Sequence, residues 1–94
     1  MVTAIVMINA KRESIPETAQ ALADIEGIAE VYSVSGEFDI IAIARVKEYE
    51  DLARLVTERL LKMPEILRTQ THMAFRTYSR HDLEHIFDVG MEHA

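Results

Sequence analysis

A chain of 94 residues makes one domain (1–94). A domain this short hides only roughly 60–65% of its unfolded surface, so self-association would help it. Its 49% hydrophobic content excludes general disorder, and no apolar run approaches the ~18 residues that would cross a bilayer. The net charge of −6, from 10 Lys and Arg against 16 Asp and Glu, and the scatter of the basic residues exclude the basic stripe of a nucleic-acid binder. With no cysteine there are no disulfides, thiolate metal sites or cysteine nucleophiles. Met1–Ile5 lacks the basic start of a signal peptide, so a cytoplasmic protein is expected.

Residues 2–9 are apolar on both alternating faces, with Val2, Ala4, Val6 and Ile8 on one and Ile5 and Met7 on the other. That predicts a strand covered on both sides. Ser14-Ile15-Pro16-Glu17 matches a capping box, with Pro16 in the first turn of a helix to about Ile25. Ile15, Ala19, Leu22 and Ile25 share one side of it. Gly27 suits the left-handed residue that closes that helix. Residues 28–35 read as a second strand, more polar and therefore an edge. Gly36 supplies the positive φ of a tight hairpin, and residues 38–46 form a third strand with both faces apolar in its middle.

The spacing of Leu52, Leu55, Val56, Leu60 and Met63 predicts a second helix over 48–63, stopped by Pro64. Residues 66–76 alternate as a fourth strand, with Leu67, Thr69, Thr71, Met73 and Phe75 on one face and Ile66, Arg68, Gln70 and His72 on the other. Ser79 suits the cap of a last helix through about Val89, ended by Gly90. The order β-α-β-β-α-β is the split βαβ of an α+β, ferredoxin-like sandwich, with a C-terminal helix added. In that topology the first and third strands are central, as their patterning requires. Two helices cover only one face of such a sheet. The other face carries an apolar set that includes Ile5, Met7, Ile41 and Ile43 or their alternates, and a two-fold dimer is the simplest cover for it.

Few groups suggest chemistry. Asp39 stands beside the Gly36 turn at the start of an apolar strand. It either accepts hydrogen bonds from the turn's own amides or meets a donor such as a ligand amino group, and the two roles are compatible. Thr69 and Thr71 share a strand face, as good strand formers or as a pair of hydroxyls for a ligand carboxylate or amide. His81 and His85 stand at i and i+4, but no third ligand is evident, and a solvated helix face is the better reading. There is no nucleophile motif, no phosphate loop and no catalytic, metal or cofactor constellation.

Taken in order, Val31–Ile40 with its Gly36-Glu37-Phe38-Asp39 hairpin, Leu55-Val56 with Leu60, and Met63–Thr71 with its Thr69-Gln70-Thr71 strand carry a likeness over about residues 2–78. The chain resembles the effector-binding (RAM) domain of the Lrp/AsnC feast/famine regulators, here beginning at its first strand without the usual helix-turn-helix domain. That resemblance implies a dimeric α+β barrel-type sandwich, often assembled into rings such as octamers. It implies a non-enzymatic domain binding a small effector, typically an amino acid, without metal or cofactor. It also implies that Gly36, Phe38, Asp39, Thr69 and Thr71 line the pocket. Full-length regulators of the same family become possible partners, and direct DNA binding is not expected. Two competing readings are a small monooxygenase of the dimeric α+β barrel class, for which His72 is the one candidate group, and a purely structural oligomerisation module.

Overall fold

The computed structural model describes residues 1–80. The expected C-terminal helix beyond Arg80, with Gly90 and the pair His81 and His85, lies outside the described residues. Four strands, β1 (Val2–Ala10), β2 (Ile28–Ser33), β3 (Ile40–Val46) and β4 (Ile66–Met73), form one sheet in the order β2-β3-β1-β4. Every neighbouring pair is antiparallel. This is the ferredoxin-like α+β fold, and the two strands with apolar residues on both faces are the central ones, as their patterning requires.

The alternation along β1 and β3 divides their side chains between two environments. Ala4, Val6, Ile8, Ile40, Ala42 and Ala44 are fully buried beneath the helices. There they pack with Leu22 and Ile25 from the first helical region and Leu52, Leu55 and Leu60 from the second. Three alanines in this layer let the helices approach the sheet closely. On the opposite face Ile5 pairs with Ile43 and Met7 with Ile41. Those four side chains are half-buried and have no helix over them among the described residues.

Helix α1 (Ile15–Ala23) carries Pro16 in its first turn, as expected. The capping box expected at Ser14 is not formed. A 3-10 turn over Arg12–Ser14 precedes the helix, and the Ser14 hydroxyl donates back to the Lys11 carbonyl at 3.0 Å. The buried Thr18 hydroxyl in turn donates to Ser14 Oγ at 3.3 Å, so the serine serves a side chain rather than the helix end. Gly27 has φ +100°, the left-handed conformation expected at that helix end. Helix α2 (Tyr49–Arg54) does not run unbroken to residue 63. It widens into a π turn over Leu55–Arg59 and tightens into a 3-10 turn over Leu60–Lys62, which keeps both Leu55 and Leu60 in the core. At its start the Glu48 amide donates to Asp51 Oδ2 at 3.0 Å.

Two further boundaries differ from expectation. The β2–β3 connection is wider than a tight hairpin: the Val34 amide donates to the Asp39 carbonyl at 3.0 Å, closing a loop across Ser35–Phe38. Phe38 turns inward in that loop and is only 9% exposed. Strand β4 ends at Met73 and has a register shift near its start, so Ala10 pairs with Ile66 while Asn9 pairs with Arg68. The shift leaves Leu67 out of the alternation and 64% exposed, and it brings Ile66 to the core.

Candidate functional site

Four side chains, Asn9, Phe38, Asp39 and Arg68, meet where β1 ends, β3 begins and β4 starts. Asn9 is the hub. It is the polar residue near the end of an apolar strand, and antiparallel pairing sets it opposite Arg68 on the face away from the helices. Its Nδ2 donates to the Glu37 carbonyl at 2.9 Å and to Asp39 Oδ2 at 3.3 Å. Its Oδ1 accepts from Arg68 Nε at 3.2 Å. The same Asp39 oxygen accepts from the Ala10 amide at 3.0 Å, and the Asp39 amide donates to the Ile8 carbonyl at 3.0 Å. The Arg68 guanidinium lies over the Phe38 ring, 4.9 Å from its centroid, a cation–π distance.

The carboxylate of Asp39 therefore bonds the end of β1 rather than the amides of its own turn. That bond joins the loop to the central strand. Phe38 supplies the platform beneath the guanidinium, and Gly36, at φ +109°, lets the chain turn at the exposed loop tip. Thr69 and Thr71 stand opposite Ile8 and Val6, on the helix side of the sheet. Within one subunit they are thus on the other face from Asn9, Asp39 and Arg68. Thr69 is half-buried and Thr71 exposed at the sheet edge. The sequence pattern singled out Gly36, Phe38 and Asp39 but missed Asn9 and Arg68, which become visible only when β1 and β4 are set in register.

The face beside this cluster has an apolar centre and a polar margin. Arg68, Gln70 and His72 line up along β4 opposite Asn9, Met7 and Ile5. Along β2, the Tyr32 hydroxyl donates to Glu30 Oε2 at 3.0 Å, which raises the Tyr32 pKa because the bond and the neighbouring negative charge both favour the protonated phenol. At the opposite end of β3 a groove of about 460 Å³ is bordered by Glu26, Arg45, Lys47, Asp51, Arg54 and Arg59. Its charges are of both signs and partly paired, with Arg54 bonded to Asp51 at 2.8 Å and Arg45 beside Glu30 at 3.7 Å.

Residues 3–83 match the family model of the Lrp/AsnC ligand binding domain. The chain belongs to the Lrp/AsnC family. A Thermus thermophilus protein of known crystal structure is 39% identical, with a TM-score of 0.79 over 85% of this chain and 100% of that one. An uncharacterised HTH-type transcriptional regulator of Pyrococcus furiosus is 38% identical over 77% of this chain and 48% of its own length. The chain thus spans about half the length of the curated regulators it matches. A Neisseria meningitidis transcriptional regulator, solved as a complex with L-methionine, shares the fold at a TM-score of 0.76 and 12% identity, over 84% of this chain and 53% of that one. Within the family, this chain presents the ligand-binding domain fold with the Asn9 cluster at one end of its sheet. No helix among its described residues is long and apolar enough to cross a membrane.

Proposed function

We propose that this domain binds a small effector, an amino acid or a close chemical relative, and responds by changing its assembly or its choice of partner. The observation that carries this reading is the cluster around Asn9. A carboxylate and a guanidinium are held on either side of one carboxamide, at the margin of an unpaired apolar sheet face. An amino acid also carries one charge of each sign close together, so such a pair is complementary to it. The Neisseria relative's complex with L-methionine supports the ligand class. The regulator names of the curated relatives support a sensing role without catalysis.

The half-buried Ile5, Met7, Ile41 and Ile43 support self-association through the open face of the sheet. A two-fold dimer, extended into a ring such as an octamer, would bring Thr69 and Thr71 of one subunit near Gly36, Phe38 and Asp39 of another. This would unite the two halves of the pocket, which a single subunit keeps on opposite faces. Full-length regulators of the same family are the natural mixed partners, through the same interface and in the same cytoplasmic compartment. The acidic net charge of −6 argues against this domain contacting DNA itself.

The test is a thermal-shift screen of the twenty L-amino acids, with light scattering on any that respond. A ligand of the native state at 100 times its Kd adds about 2.7 kcal/mol of stability and so raises Tm. Thr71→Val should weaken that shift without lowering the unliganded Tm, since Thr71 is exposed. If no amino acid moves Tm or the assembly mass, the sensing reading fails.

A further inference from the structure

Resting on that effector-binding reading, we infer that Arg68 is the group that receives the ligand's carboxylate, so that the site takes ligands with a free carboxylate and rejects their esters. Arg68 differs from the other partnered arginines of the domain. Arg54 is bonded to Asp51 and Arg45 stands beside Glu30, each facing an acid. Arg68 is held instead by neutral groups, through Nε to the Asn9 carboxamide and through its plane to the Phe38 ring. Among the described residues no carboxylate lies within ion-pair distance of it, and no hydrogen bond is made by its two terminal nitrogens. A guanidinium has five N–H donors in a rigid fork that matches a carboxylate two bonds at a time. Here one donor fixes the fork and the terminal edge is unused.

The fork is also already oriented. Asn9 is itself anchored from the far side by Glu37 and Asp39, so the position of Arg68 is set through three links before any ligand arrives. Binding then immobilises little additional side-chain freedom, which favours affinity. Asp39 completes the complement. Its Oδ2 is committed to Ala10 and Asn9, while no hydrogen bond to its Oδ1 exists among the described residues. That second oxygen is the acceptor of the cluster for an ammonium group. Asp39 thus serves both fold and ligand, one oxygen each, and Arg68 supplies the opposite charge.

The experiment measures Kd for each stabilising L-amino acid and for its methyl ester, on the wild-type chain and on Arg68→Gln, Arg68→Lys and Arg59→Gln. The ester keeps the side chain and the ammonium and removes only the carboxylate charge. The expected result is binding of the acid about tenfold or more tighter than the ester, a similar loss of acid binding in Arg68→Gln, and partial recovery in Arg68→Lys, which keeps the charge but not the fork. Arg59→Gln, which removes the same charge outside the cluster, should bind like wild type. If ester and acid bind alike, or if Arg68→Gln binds like wild type, the assignment of Arg68 is overturned while the effector reading stands. If no amino acid binds the wild-type chain, both fall. The acid–ester comparison uses only the wild-type protein, so a folding defect in a variant does not remove the test.

Discussion

Asn9 and Asp39 meet 30 positions apart in the chain, the Asn9 carboxamide donating to the Asp39 carboxylate at 3.3 Å while the Ala10 amide donates to the same oxygen at 3.0 Å. This joins the Gly36 loop to the end of the central strand β1. Asp39→Ala would leave a backbone amide and a carboxamide without their acceptor, at a cost of about 1–3 kcal/mol. Asp39→Asn keeps a carbonyl oxygen for Ala10 and should recover much of that loss. Urea unfolding of the three proteins checks the order wild type, Asn, Ala. Equal stability of the Ala variant and wild type would contradict the joint.

Gly27 and Gly36 separate backbone strain from crowding. Both have positive φ, +100° and +109°. A Cβ at Gly27 would stand 3.1 Å from Val46 Cγ1, while a Cβ at Gly36 would meet nothing within 4 Å. Gly36→Ala should therefore carry only the left-handed penalty, about 1 kcal/mol. Gly27→Ala should cost more, since the neighbour must move as well. Thermal melts of the two variants rank them, and a Gly36→Ala variant less stable than Gly27→Ala would refute the distinction.

The sheet was legible because β1 and β3 are apolar at successive positions, which only central strands of this topology can bury. The hub residues were not. Arg68 reaches Asn9 across 59 positions, and no local pattern sets that register. Alternation along β4 also misled, since the shift at Leu67 moves Ile66 to the core side together with Thr69. Ser14 had the sequence of a cap but lost its hydroxyl to the Lys11 carbonyl, because a 3-10 turn preceded the helix. The widening of the second helix at Leu55–Arg59 has no glycine or proline to announce it. It is set by burial of Leu55 and Leu60 against the sheet.

At the start of α2, Asp51 couples stability to acid. Its side-chain bond from Arg54, and then the bond from the Glu48 amide, lower its pKa below the ordinary value of 3.8. A carboxyl with a depressed folded pKa stabilises the fold above its unfolded value and loses that contribution as pH falls through the lower, folded one. Between pH 5 and about pH 2, wild-type Tm should fall more steeply than that of Asp51→Asn, which has nothing to protonate there. The group is solvent-exposed, so the difference should also shrink in high salt. Parallel acid limbs would remove Asp51 from the account.

Ile5 and Ile43 stand directly opposite each other at the centre of the open face. Ile43→Asp would place an unpaired charge in the middle of any sheet-to-sheet interface, where burying it costs far more than leaving it in water. In a lone subunit the same change should be mild, because Ile43 points away from the core beneath the helices. Light scattering at micromolar concentration should therefore give an oligomer for wild type and a smaller species, down to the monomer, for Ile43→Asp, with the circular dichroism of a folded chain in both. Arg45→Gln, on the same face but at its polar margin, should leave the mass unchanged. If Ile43→Asp keeps the wild-type mass, the open face is not where the subunits meet, and the two halves of the pocket must be joined through another surface.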